Sequence, residues 1–264
     1  NTSGASGVPG VLTNASTLTP TFTPSTNEIA NGFALLTLTV TPLTGCSVPA
    51  VKVIRVNLQP IADVSAGTNI TACQGQTVTL NSVNNGAYVQ NYSSFTWTEN
   101  GTGSIDPSTV NTINPKYIPG VNETGVVTLT LQANNIAPCI GSVTKTMTIT
   151  YSPQPTAYAG QDSVICQNSN FSLATATATN YTTILWSSSQ NSDGTSNPSY
   201  VGGSFTNTSV IRPIYTPSQD DINLGYVFLT IKASNVPCSS IVTDVIKLTI
   251  TKGPIVAAGS DATI

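Results

Sequence analysis

Residues Pro213–Ala233 read PIYTPSQDDINLGYVFLTIKA, and two other stretches follow the same pattern. Pro115–Ala133 reads PKYIPGVNETGVVTLTLQA, and Pro20–Val40 reads PTFTPSTNEIANGFALLTLTV. Each copy sets an aromatic residue between two prolines, continues through a short polar turn with an acid, and runs into a strand of alternating polarity. Such self-similarity is the first thing to settle, because it decides whether a chain is one domain or an array.

Other landmarks give the period. Gly67, Gly160 and Gly259 are 93 and 99 residues apart (160 − 67 and 259 − 160), and Cys46, Cys139 and Cys238 repeat the same two spacings. Trp97 and Trp186 lie 89 apart. A period of this size exceeds the ~20–50 residues of solenoid repeats and fits a whole β-sandwich of about 100 residues. The sequence therefore predicts an all-β chain of tandem Ig-like or PKD-like sandwiches. Residues 1–60 are read as the C-terminal part of one repeat, 61–153 and 154–253 as complete repeats, and 254–264 as the first strand of the next. Ala257–Ile264 matches Ala157–Ile165, and no counterpart of the Trp97 segment precedes Phe22, so the expectation is a window on a longer repetitive protein.

Alternation at Phe33–Val40, Val126–Ala133, Thr144–Tyr151, Tyr226–Ala233 and Val242–Thr251 marks half-buried strands. Further strands are expected at 51–58, 77–80, 94–98, 171–173 and 184–187, with almost no helix. Trp97 and Trp186 are core candidates, and Phe22, Tyr117 and Tyr215 read as corner or core aromatics rather than ligand-facing ones.

Only 7% of residues are charged, the net charge is −3, and there is no histidine. Without a basic stripe, nucleic acid is an unsuitable partner. Without histidine, a Ser-His-Asp or Cys-His nucleophile and the usual transition-metal ligand sets are excluded, so no enzyme activity and no catalytic residue is expected. No run reaches the ~20 apolar residues of a membrane span.

Five cysteines resolve once the repeat is applied. Cys73 with Cys139, and Cys166 with Cys238, are the expected disulfides, and Cys46 is left to a cysteine upstream of Asn1. Buried free thiols are the alternative. Disulfides imply an oxidising, extracytoplasmic compartment.

Acids recur at Glu28, Glu123 and Asp221. In Ser25–Glu28 and Ser218–Asp221 a hydroxyl precedes the acid by three residues, as in a capping box on a single helical turn. The competing expectation is Ca²⁺, held by Asp220, Asp221 and backbone carbonyls, or by Asp63, Asp162 and Asp261 near the starts of repeats. Sequons such as Asn91-Tyr92-Ser93 are expected by chance in a chain this rich in Asn, Ser and Thr.

Ala159-Gly160-Gln161-Asp162-Ser163-Val164-Ile165-Cys166-Gln167, Asn180-Tyr181 with Trp186, and Pro213 to Ile222 together resemble the repeats of large Bacteroidetes surface adhesins of the SprB gliding-motility type. The second repeat departs from them, with Asn69 where Asp162 stands and Gly120 where Ser218 stands. The resemblance implies export by the type IX secretion system and display on the outer surface. The partners it implies are a surface polysaccharide or other external substratum, and the secretion and motility machinery of the outer membrane. Asp162-Ser163-Val164 also resembles the Bacteroidetes O-glycosylation motif, which makes Ser163 a candidate acceptor. Two other functions fit the same residues: passive spacers of an exported enzyme, or a carbohydrate-binding module, which would show a row of exposed aromatics.

Overall fold

The computed structural model describes residues 8–45, 47–254 and 256. Its strands follow the alternation in the sequence. In the first segment β1 (Val11–Thr13) pairs antiparallel with β2 (Thr21–Thr23). The one-and-a-half-turn helix α1 (Thr26–Asn31) leads into the hairpin of β3 (Phe33–Val40) and β4 (Ala50–Asn57).

The second segment holds β5 (Asp63–Ser65), β6 (Ile70–Cys73), β7 (Val78–Thr79), the short helix α2 (Ser82–Asn85) and β8 (Tyr88–Gln90). Then come β9 (Tyr92–Glu99), β10 (Ser104–Ile105), β11 (Lys116–Ile118), β12 (Gly125–Asn135) and β13 (Ser142–Ser152). Its two main sheets run β6-β13-β12-β9 and β10-β11-β7.

The third segment holds β14 (Thr156–Tyr158), β15 (Ser163–Cys166), β16 (Phe171–Ser172), β17 (Thr177–Thr179) and β18 (Thr183–Ser189). It continues with β19 (Ser204–Phe205), β20 (Ile214–Thr216), helix α3 (Gln219–Leu224), β21 (Tyr226–Ser234) and β22 (Ile241–Thr251). Its sheets run β15-β22-β21-β18 and β16-β20-β19, which is the strand order of the second segment over again. Both are Ig-like sandwiches. By proximity the chain divides into two compact units, Asn1–Asn69 with Thr77–Ile118 and Val127–Thr148, and Ile70–Gln76 with Pro119–Val126 and Ile149–Ile264.

Burial follows the two-residue period. Val227, Leu229, Ile231 and Ala233 on β21 face inward, as do Ile246, Leu248 and Ile250 on β22. Trp186 lies among them at 2% exposure, and its counterpart Trp97 is 1% exposed. Each indole N–H donates to a loop carbonyl, of Thr112 for Trp97 and of Val210 for Trp186, both at 3.1 Å. The tryptophans thus fill the core and also tie down the loop before β11 or β20, because a buried donor must find an acceptor.

Several recurring residues are explained by backbone geometry. Asn91 and Asn180, which open the Asn-Tyr motif, sit at φ 53° and 52°, a left-handed conformation that Asn tolerates better than most residues. Gly67 and Gly160 have φ of 88° and 112°. A Cβ would meet the Asn85 Oδ1 at 1.6 Å from Gly67 and the Thr175 Oγ1 at 2.7 Å from Gly160.

The sequence missed two things. The one-turn helices are too short for apolar periodicity to reveal, although the capping boxes marked two of them. No strand is expected over 70–73 from the sequence, yet Ile70–Cys73 is a strand paired in parallel with the end of β13, Cys73 opposite Ser152. The pair β15–β22 repeats this, with Cys166 opposite Thr251. Four residues are too few for alternation to speak.

Burial assigns a direct test. Leu229→Ala should cost about 2–5 kcal/mol by opening a cavity in the core. Leu185→Ala, removing a half-exposed side chain from β18, should cost less than about 0.5 kcal/mol. Urea unfolding of both variants compares them; equal losses would contradict the assigned faces of the sheet.

Candidate functional site

Asp221 is the most heavily engaged polar group of the third segment. It is fully buried, at the third position of α3. There it completes a capping box: Ser218 Oγ accepts from the Asp221 N–H (3.1 Å), and Asp221 Oδ2 accepts from the Ser218 N–H (2.8 Å). The same Oδ2 accepts from the Tyr215 hydroxyl (2.7 Å) and the Gly203 N–H (3.1 Å). The Tyr200 hydroxyl donates to Oδ1. Hydroxyl and amide hydrogens thus converge on a carboxylate whose desolvation would otherwise be costly.

The corner recurs with substitutions that show what it needs. In the first segment Glu28 Oε2 accepts from the Ser25 N–H and the Gly10 N–H, both at 2.9 Å. The aromatic there is Phe22, which has no hydroxyl to give, and the buried Glu28 Oε1 is left without a partner. In the second segment Gly120 offers only its N–H, 3.0 Å from Glu123 Oε2, while Tyr117 accepts from the Gly103 N–H at 3.1 Å. Gly203 donates to Tyr215 in the same way at 2.8 Å. Gly10, Gly103 and Gly203 were not singled out in the sequence. Their signal was a glycine 12, 14 and 12 residues before the aromatic (22 − 10, 117 − 103, 215 − 203). A Cβ on Gly203 would lie 2.2 Å from the Thr216 carbonyl oxygen, and one on Gly10 2.4 Å from that of Thr23. Glycine is therefore the residue that fits.

The capping reading of Glu28 and Asp221 holds in the geometry. Of the calcium candidates, Asp221 has its oxygens occupied by hydrogen-bond donors, and Asp220 Oδ2 accepts from the Val201 N–H at 2.8 Å. Asp162 Oδ1 accepts from the Lys247 N–H at 2.8 Å, and Asn69 Oδ1 does the same for Thr148 at 2.9 Å. A position served equally by Asp and Asn calls for an acceptor rather than a charge. Asp63 instead takes the Tyr88 hydroxyl and thereby raises its pKa. Asp261 and Cys46 lie outside the described residues. Among the described residues, no three His, Cys, Asp or Glu side chains cluster as metal ligands. Ser163 lies half-buried on β15, its hydroxyl donating to the Gln161 carbonyl at 3.3 Å.

The cysteines overturn the expected pairing. Cys73 is bonded to Cys238, with Cα atoms 4.8 Å apart and 165 residues between them in sequence, and Cys139 and Cys166 are free thiols. The reason is the length of one strand. Cys73 stands beside Ser152, where β13 ends, whereas Cys139 lies in the loop before Ser142, where β13 begins. Eleven extended residues at ~3.3 Å each separate those ends by roughly 30 Å, and a disulfide spans at most ~7 Å between Cα atoms. Cys166 and Cys238 are kept apart by β22 in the same way.

No family model matches the chain, and no curated protein matches it in sequence. Among solved structures it is similar to an I-band fragment from titin, 12% identical over 73% of this chain and 66% of that one, with a TM-score of 0.45. It is also similar to extracellular cadherin domains 1–5 of protocadherin gamma B2, 14% identical over 90% of this chain and 49% of that one, TM-score 0.37. The D00-D0 domain of intimin is 12% identical over 72% of this chain and 100% of that one, TM-score 0.38. The assignment of tandem Ig-like sandwiches rests on the strand order that the second and third segments share.

Burial, and then the Asp221 carboxylate, push the hydroxyls of Tyr200 and Tyr215 above the ordinary tyrosine range. Burial and then Glu123 push Tyr151 up to about 12. A raised folded pKa means a contribution fully present below the ordinary value of 10.0 and lost as pH climbs through the folded value. Stability should therefore fall from pH 10 upward, the tyrosinate band of these three appearing only as the fold opens; ionisation of all nine tyrosines ahead of unfolding would contradict this. Asp221→Ala, which strands buried donors, should cost about 3–5 kcal/mol, and Tyr215→Phe about 1–2 kcal/mol, in thermal denaturation.

Proposed function

We propose that this chain is the repeat region of a cell-surface adhesin of the SprB type, an extended stalk that holds an adhesive surface away from the cell. The repeats are 61–153 and 154–253, preceded by the C-terminal part of another in 1–60; the expected first strand of the next, in 254–264, lies outside the described residues but for 254 and 256. The observation that carries this reading is the covalent link between successive repeats, Cys73 to Cys238. A disulfide belongs to an oxidising compartment outside the cytoplasm, and one that joins neighbours resists their separation under load. The parallel pairs β6–β13 and β15–β22 support the same reading. Each joins an early strand of its repeat to the last one, so once the disulfide is reduced, tension on the chain ends shears all the bonds of the pair together instead of unzipping them singly.

The polar inventory fits a structural role. Among the described residues the most deeply buried acids, Glu28, Glu123 and Asp221, serve turns and corners. No helix among them is long and apolar enough to cross a membrane. The resemblance to SprB-type repeats supports export by the type IX system and contact with a polysaccharide or other external substratum.

One observation favours a carbohydrate contact within the repeats. A shallow cleft of about 490 Å³ on β9 is lined by Tyr92, Phe95, Ser94, Thr96, Asn111 and Asn134. The two rings meet edge to face, 5.2 Å between centroids. Aromatic faces flanked by hydroxyls and amides suit a sugar ring.

Antibody against 61–252, applied to intact living cells that make the protein, tests the proposal. Surface signal with blocked attachment or moving foci is expected. Surface signal without either effect would favour passive spacers of an exported enzyme, and absence of surface signal would contradict display. In the same assay Tyr92→Ala with Phe95→Ala should reduce attachment if the β9 cleft holds sugar, and leave it unchanged if adhesion lies elsewhere.

A further inference from the structure

Among the described residues, the two free cysteines occupy the same places as the two bonded ones. Cys139 and Cys238 close equivalent loops, Asn135–Cys139 and Asn235–Cys238, each with a proline just before the cysteine (Pro138, Pro237). The Cys139 thiol donates to the Gln59 carbonyl at 3.2 Å. The Cys238 sulfur lies 3.8 and 3.9 Å from the carbonyl oxygens of Ser152 and Pro153. Gln59 and Ser152 are 93 residues apart (152 − 59), the spacing of Gly67 and Gly160, so both sulfurs sit on the same point of the preceding linker.

At the other end of the strand the equivalence holds as well. Cys73 is in register with Ser152 and Cys166 with Thr251, each the last residue of the parallel pairing. Cys166 is exposed. In the one place where both members of such a set are present, the early cysteine of one repeat and the late cysteine of the next, they are bonded.

We propose that Cys139 and Cys166 are half-cystines of this same staple, so that every repeat is bonded to both of its neighbours. The early cysteine of each repeat reaches forward to the late cysteine of the next. Cys166 takes the late cysteine of the repeat that follows, and Cys139 the early cysteine of the repeat that precedes 61–153. In each closure two thiols lose two protons, one sulfur–sulfur bond forms, and the two electrons reduce a disulfide oxidant, such as oxidised glutathione or a thiol–disulfide oxidoreductase, to two thiols. The staple is independent of any adhesive role, because it follows from register and repeat alone.

The test is a full chain in which residues 154–253 are duplicated in tandem, the second copy marked by Val164→Ile and Ser239→Thr. Folded in a glutathione redox buffer, it is alkylated and mapped by mass spectrometry without reduction. The expected map joins Cys73 to the first-copy Cys238 and the first-copy Cys166 to the second-copy Cys238. Alkylation of Cys166 should drop from complete in the parent chain to none in the first copy, while Cys139 and the second-copy Cys166 stay alkylated. A bond between Cys166 and Cys238 of one copy, or a first-copy Cys166 that still alkylates, would overturn the proposal. If the duplicated chain does not fold, the same map on protein taken from its own cells decides. Cys139 bonded to a cysteine outside Asn1–Ile264 is expected there, and a free Cys139 would overturn the proposal.

Discussion

The parallel pairing of a four-residue strand with the end of the last strand of its repeat governs where the sulfurs of this chain can go. Because β6 runs alongside the final residues of β13, its last residue, Cys73, lies at the linker and not in the body of the sandwich. The long hairpin of β12 and β13 carries Cys139 to the opposite end. One register thus keeps the two sulfurs of a repeat too far apart to bond, and Cys73 is bonded forward to Cys238 instead. The entropic effect is larger as well. Closing a loop of 165 residues removes up to about 5 kcal/mol of freedom from the unfolded chain, somewhat more than the shorter loop of a bond within one repeat.

The second constraint is the buried acid after the aromatic corner. Its three versions keep the geometry and vary the donors: two tyrosine hydroxyls, an amide and a cap for Asp221, amides and a serine for Glu28, and a glycine amide at the cap for Glu123. A short turn before the longest hairpin needs its backbone donors satisfied, and one carboxylate does that. This is why acids that recur at a repeat position here mark a fold element.

The sequence made the strands legible where alternation ran for eight residues or more, and β3, Phe33–Val40, falls where it was read. It made the cap legible because a hydroxyl and an acid three residues apart have few other uses. The cysteine pairing was not legible. Counting cysteines per repeat treats each sandwich as closed, and nothing in Ile70–Cys73 announces that it pairs in parallel with residues 79 positions further on (149 − 70). Gly10, Gly103 and Gly203 were hidden for a similar reason: a glycine looks like any turn until the group it must approach is known.

Pulling the whole chain by its ends, with the disulfide intact and then reduced, tests most directly whether tension passes from repeat to repeat through the staple. With Cys73 bonded to Cys238, the 164 residues between them (238 − 73 − 1) are withheld from extension. Reduction should release them and lengthen the fully unfolded chain by on the order of 55 nm at ~3.3–3.6 Å per residue. The same full extension before and after reduction would contradict the account.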